Sequence, residues 1–207
     1  EEGKKFLDFS SGIAVNILGH NHTEINKTFS DQANKIWHVS NLYNIPEQEL
    51  LAKKLCDLSF ADKVFFCNSG AEAVEGAIKV ARKFHSASGN IERNEIITFK
   101  NSFHGRTLAT LAAASNPLHT DGFSPIPDGF LNIPLDKDLL EKSITNKTAA
   151  ILVEPVQGEG GINPIPDEFL VLIRKLCDEN NILMILDQVQ CGTVSYTHLT
   201  LPTKDSV

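Results

Sequence analysis

From Lys63 onward the apolar residues alternate between short continuous runs and helical steps of three and four, the pattern of an α/β domain built on a mainly parallel sheet. Residues 63–67 (Lys-Val-Phe-Phe-Cys) read as a buried strand. After the turn Asn68-Ser69-Gly70, the residues Val74, Ala77, Ile78, Ala81 and Phe84 line one face of a helix whose Ala and Lys content suits it. Residues 95–99 predict the next strand, 107–114 a short alanine-rich helix, and 136–144 a helix opened by Asp136, which can cap it. Residues 148–153 form another strand. Residues 167–180 are amphipathic, with Phe169, Leu172, Ile173 and Leu176 on one side, and lead into a strand at 182–186 that ends in Asp187. Two βαβ units are legible in this order.

The first sixty residues differ. They predict a short strand at 6–9, a Gly- and Asn-rich loop to Asn21, and a helix carrying Ile25, Phe29, Ala33 and Ile36. A second helix begins at Pro46, a favoured first position, and presents Leu51, Leu55 and Leu58. The expected organisation is a lead-in segment, 1–60, packed on a main domain, 61–192, with no internal repeat.

Composition narrows the function classes. Nineteen basic residues against 26 acidic ones leave a net charge of -7, which offers no electrostatic footprint for nucleic acid or an anionic membrane. The longest apolar runs, such as 149–153 and 182–186, are about five residues, against the roughly 20 that span a bilayer. The charged opening Glu1-Glu2-Gly3-Lys4-Lys5 is not a secretory signal. Cys56, Cys67, Cys177 and Cys191 form no C-x-x-C pair, which points to a reduced compartment: the cytoplasm, or the mitochondrial matrix for a eukaryotic source. His20-x-His22 has no second ligand pair at metal spacing and reads as a polar loop, so no metal site is expected. The single methionine, Met184, lies deep in the chain, and at 207 residues the sequence reads as a piece of a longer protein.

Four constellations sit where strands end. Asn68-Ser69-Gly70-Ala71-Glu72 is either an ordinary capping turn with Ser69 as N-cap or, through free N–H groups and the helix dipole, an anion cradle. Ser102-Phe103-His104-Gly105-Arg106-Thr107 presents an aromatic for ring stacking, an imidazole, and a guanidinium for a carboxylate; a core plug and a surface ion pair are the alternatives. Glu154-Pro-Val-Gln-Gly-Glu-Gly-Gly161 combines two carboxylates with three glycines but does not match the dinucleotide fingerprint. Asp187 closes a buried strand, where a carboxylate needs a partner: a protonated ring nitrogen, or the next turn's N–H groups. Together these supply what pyridoxal phosphate asks of a protein.

With Gly12-Ile-Ala-Val-Asn16, Leu18-Gly-His20 and Ser40-Asn-Leu-Tyr43 in order before them, these motifs resemble the class III pyridoxal-phosphate aminotransferases over residues 1–192. The resemblance implies the large domain of a fold-type I transferase, incomplete here: a mainly parallel sheet flanked by helices. It implies that Ser69, Gly70 and Ala71 hold the cofactor phosphate, that Phe103 packs on the ring with His104 beside it, that Asp187 pairs with the ring nitrogen, and that Gln190 lies beside the phenolic oxygen. Arg106 would hold a substrate carboxylate, and Glu159 would gate a second arginine from a C-terminal domain. It further implies a small-molecule amino donor, a 2-oxo acid acceptor and a homodimer. The motifs at 12–16 and 40–43 favour transfer from N2-acetylornithine to 2-oxoglutarate, in arginine biosynthesis, over the ornithine, succinylornithine and 4-aminobutyrate activities. A non-catalytic aminotransferase-like module is the rival.

Two departures stand out. Gln188 replaces the family's usual glutamate, removing a negative charge beside Asp187. Residues 193–207 match nothing in the family's continuation, which carries the Schiff-base lysine. They read as a non-native tail, and the chain as written is expected to be inactive.

Overall fold

The computed structural model describes residues 2–114 and 116–192, so the expectation for the tail lies outside the described residues. The described chain falls into two units that divide between Phe65 and Phe66. In the first, α1 (Ser11–Ala14) is a single turn whose Gly12 and Ile13 sit at positive φ, followed by α2 (Thr23–Ala33) and α3 (Pro46–Asp57). Pro46 opens α3, where its missing N–H costs no hydrogen bond. The strand expected at 6–9 does not form. Asp8 Oδ1 accepts the N–H groups of Ser10 and Ser11 at 2.9 and 3.0 Å and turns the chain there, and a strand without a ladder partner has no backbone hydrogen bonds of its own. His20 Nε2 meets Asp8 Oδ2 at 2.7 Å, a pairing that explains this histidine without a metal. None of residues 2–65 is buried.

The second unit runs α4 (Gly70–Ala87), β1 (Glu95–Phe99), α5 (Leu108–Ala114), α6 (Pro117–Thr120), β2 (Phe130–Ile133), α7 (Lys137–Ser143), β3 (Thr148–Val153), β4 (Val156–Gln157), β5 (Asn163–Pro164), α8 (Asp167–Asn180) and β6 (Leu183–Leu186). The main sheet has the order β2-β1-β3-β6 with every pairing parallel; β4 and β5 form a separate antiparallel ribbon. Thr148-Ala-Ala-Ile-Leu-Val153 is buried at all six positions because β3 is flanked by strands on both edges and covered on both faces. Alternate side chains separate the two faces. Ala150 and Leu152 pack with Ile96, Ala113 and the α4 residues Val74, Ile78 and Ala81. On β1, Phe99 meets Phe169 of α8 edge-on, ring centroids 5.6 Å apart.

One expectation, at the junction of the two units in sequence, is corrected, and one strand lies outside the expectations. Residues 63–67 form no strand, and Phe65 is 80% exposed: the apolar run is present, but no described strand pairs with it. Conversely, Phe130-Leu-Asn-Ile133 is a strand, recruited by parallel pairing to β1 although only four residues long. Elsewhere the expected bounds hold closely. Asp136 caps α7 by accepting the Leu139 N–H at 2.8 Å.

Candidate active site

Parallel strands deliver all their carboxyl ends to one rim, and the order β2-β1-β3 puts a topological switch point between β1 and β3, where the chain leaves in opposite directions. Three loops converge there: 100–107 after β1, 154–162 after β3, and 187–190 after β6. The N-terminus of α4 joins them.

Asp187 is buried. Its own N–H still extends the ladder to Val153 O at 2.8 Å, so its carboxylate is carried on the strand end. Oδ2 lies 2.8 Å from Nδ1 of His104, whose side chain is fully buried, and Oδ1 accepts the Val189 N–H at 3.2 Å. The aspartate therefore caps the next turn and also holds an imidazole. A carboxylate cannot donate, so the shared proton sits on Nδ1, and Nε2 has no hydrogen-bond partner among the described residues. The imidazole orients the buried carboxylate, which keeps lone pairs to spare, a setting that favours a cationic N–H.

At the start of α4, Ser69 Oγ accepts the Glu72 N–H at 3.2 Å and Glu72 Oε2 accepts the Asn68 N–H at 2.7 Å, a reciprocal capping box. The two Asn68 hydrogen bonds, side chain first, hold the Glu72 carboxyl below its ordinary range. The cap uses the Ser69 hydroxyl and leaves the N–H groups of Gly70 and Ala71 as the helix's orphan donors, at the positive end of its dipole. The capping reading of this turn is realised, and it leaves these two N–H groups for the other. A Cβ on Gly70 would stand 2.5 Å from Val189 Cγ1, so the helix start lies directly against the loop that follows Asp187.

Gly105 joins the loop after β1 to the same helix start. It has φ +130°, and a Cβ there would stand 2.8 Å from Thr110 Oγ1 and 2.9 Å from Ala71 Cβ. Gly105→Ala combines backbone strain with overpacking and is expected to cost about 1–3 kcal/mol, read as a lowered urea midpoint with an unchanged slope.

Phe103 is half-buried; its N–H donates to Glu154 Oε2 at 2.8 Å, and its ring meets His119 edge-on at 6.1 Å. Arg106 is exposed, and among the described residues it has no ion pair. Glu159, also exposed, lies 3.3 Å from His119 Nε2, so the carboxylate expected to face an arginine faces an imidazole here. Gln190 folds over the loop after β3: its Cγ is 3.1 Å from where a Cβ on Gly158 would be.

Three residues at this rim escaped the sequence reading. His119 lies in a four-residue helix with no pattern to mark it. Glu154 and Gln157 were visible only as part of a motif. Both are buried, and Gln157 Nε2 donates to Lys100 O at 2.8 Å and Ser102 Oγ at 3.1 Å. A carboxylate directly after a six-residue apolar strand was the available signal, since it is drawn into the interior with the strand. Burial pushes the Glu154 carboxyl up to about 8; Asp187 and Glu159 add to the rise, and the N–H groups of Phe103 and Gly158 oppose it. Among the described residues, no group of three or more His, Cys, Asp or Glu is arranged to hold a metal ion.

Comparison with known proteins agrees with this geometry. The family model for class-III aminotransferases matches residues 1–197. An acetylornithine aminotransferase of Mesorhizobium japonicum is 54% identical over 193 residues, covering 93% of this chain and 48% of the relative. One from Methanocaldococcus jannaschii is 53% identical over 192 residues, covering 92% and 48%. Among solved structures, an N-acetylornithine aminotransferase from Stenotrophomonas maltophilia is similar with a TM-score of 0.78 and 38% identity over 93% of this chain and 48% of that one. An ornithine aminotransferase from Toxoplasma gondii, with partial occupancy of PLP at its active site, gives 0.86 and 30% over 92% and 46%. The chain spans about half the length of the curated relatives it matches. On the strength of the family match along nearly its whole length, this chain belongs to the class-III aminotransferases.

Proposed function

We propose that the complete protein moves the amino group of N2-acetylornithine to 2-oxoglutarate, with pyridoxal phosphate held at the rim of β1, β3 and β6. The observation that carries this reading is the buried Asp187 carboxylate held by the His104 imidazole. The residues present fit the cofactor. Gly70 and Ala71 offer orphan N–H groups to a phosphate beside a loop too close for any side chain at Gly70, and Asp187 keeps a free lone pair for a ring N–H. When bound, pyridoxal phosphate supplies an electron sink for the pair left behind when the amino-bearing carbon loses its proton.

The protein's own contribution is positioning and charge. Gly70 and Ala71 would anchor the phosphate, Phe103 would pack on the ring, Gln190 would serve its phenolic oxygen, and Asp187 would hold a proton at the ring nitrogen. His104 orients the Asp187 carboxylate. Arg106 clamps a substrate carboxylate, and Glu159 borders the substrate side. Lys100, at the end of β1, is exposed, and its carbonyl is tied to Gln157, so it is not placed to carry the cofactor. The Schiff-base lysine is assigned to a part of the protein other than residues 2–192. A homodimer in the cytoplasm completes the reading; among the described residues no helix is long and apolar enough to cross a membrane.

The choice of substrate rests on the names of the most similar relatives. Turnover of N2-acetylornithine, ornithine, N2-succinylornithine and 4-aminobutyrate by the complete protein tests it. N2-acetylornithine is expected to give the highest kcat/KM, and a preference for 4-aminobutyrate overturns the assignment. Arg106→Ala is expected to raise KM for the carboxylate-bearing donor about 10- to 100-fold with a smaller change in kcat, the loss of one charge-assisted hydrogen-bonded pair.

A further inference from the structure

Glu154 and Gln157 have no part in the mechanism above, yet they are among the most buried polar side chains of the rim. Glu154 directly follows β3 and Gln157 lies on β4, and both reach across to the loop after β1. Glu154 Oε2 takes the Phe103 N–H at 2.8 Å, while Gln157 Nε2 donates to Lys100 O at 2.8 Å and to Ser102 Oγ at 3.1 Å. Three hydrogen bonds thus fasten residues 100–103 immediately before His104, the residue that holds Asp187. A bland explanation is that the two side chains merely satisfy buried backbone groups. A glutamine at position 154 would do that equally well, whereas the chain places a titratable acid there, close to a second buried carboxylate.

We propose that Glu154, with Gln157 as its companion, is a positioning residue of the cofactor site: it fixes the Phe103–His104 backbone, and through it the ring-stacking face and the His104–Asp187 pair. The proposal rests on the cofactor reading given above. Burial, Asp187 beyond β6 and Glu159 in its own loop raise the Glu154 carboxyl, and the N–H groups of Phe103 and Gly158 lower it; the Cys191 thiol and the His104 imidazole are the other titratable groups nearby. With its carboxyl at about 8, Glu154 keeps its proton at neutral pH, and the rim carries one buried negative charge, on Asp187. The native state then binds a proton that the unfolded chain releases near the ordinary carboxyl value. Glu154 therefore lowers stability progressively as pH rises from about 4.5 to about 8, and lowers it fully above that.

The test uses the complete protein as wild type, Glu154→Gln and Glu154→Ala, with three readouts: hydrogen exchange of the peptide containing Phe103 in the cofactor-free form, pyridoxal phosphate affinity, and urea stability from pH 5 to pH 9. Glu154→Ala is expected to speed exchange at Phe103 and weaken cofactor binding at least tenfold each. Glu154→Gln is expected to keep both within about threefold and to flatten the fall of stability with pH. Unchanged exchange and affinity in Glu154→Ala overturn the proposal, as does damage in Glu154→Gln equal to that in Glu154→Ala. Should the alanine variant fail to fold, parallel pH profiles for wild type and Glu154→Gln overturn it instead. Wild type that binds no pyridoxal phosphate refutes the cofactor reading itself, an outcome separate from the exchange at Phe103.

Discussion

Asp187→Ala in the complete protein lowers kcat/KM for amino transfer by roughly a thousandfold, the equivalent of the 3–5 kcal/mol at stake when one partner of a buried charged pair is removed. The carboxylate is the rim's buried charge nearest the His104 imidazole, and it sits at the end of β6 with its N–H still in the ladder. Without it, the carboxylate proposed to hold a proton at the ring nitrogen is gone, and His104 loses the one side-chain hydrogen bond it makes among the described residues. Part of the loss in the alanine variant is therefore a loss of order. Asp187→Asn separates the two: its amide oxygen can accept the Val189 N–H while its NH2 donates to His104 Nδ1 once the ring proton moves to Nε2, but it carries no charge. The asparagine variant is expected to stay close to wild type in thermal unfolding while losing most of the same rate. A fully active asparagine variant would mean that the charge at this position does not serve the chemistry.

Leu152→Ala destabilises the protein by about 2–5 kcal/mol, because the side chain is 0% exposed on the central strand and the cavity it leaves is walled by α4, α5 and two neighbouring strands. Leu131, on β2 at the edge of the described sheet, is 41% exposed, and Leu131→Ala is expected to cost well under half as much. Urea unfolding of the two variants measures both. Equal losses would contradict the placement of β3 at the centre.

These two positions also show what the sequence makes legible. β3 can be read because a strand buried on both faces has no charged side, and five consecutive apolar residues after Thr148 have few other uses. The same rule misleads at 63–67, where Val-Phe-Phe is equally apolar but no described strand offers the ladder that would make it one. It also passes over β2, whose Asn132 breaks a short apolar run and instead donates from the sheet to Thr98 Oγ1 at 3.2 Å. The strand-end turns at Ser69, Phe103 and Asp187 stand out in sequence because local chemistry, a cap or a stranded carboxylate, marks them. Their pairings do not. His104 and Asp187 are 83 residues apart, and Phe103 and Glu154 are 51 apart; only parallel registry brings them to one rim. His119 beside Glu159 is invisible for the same reason.

The central claim is that Asp187, held by His104, keeps a proton on the ring nitrogen of bound pyridoxal phosphate. Nitrogen NMR of the complete protein loaded with ring-labelled cofactor measures that proton directly. A protonated ring nitrogen at neutral pH in wild type, lost in Asp187→Ala, is the predicted result. An unprotonated ring nitrogen in wild type, or one whose state is the same in both proteins, would contradict the account.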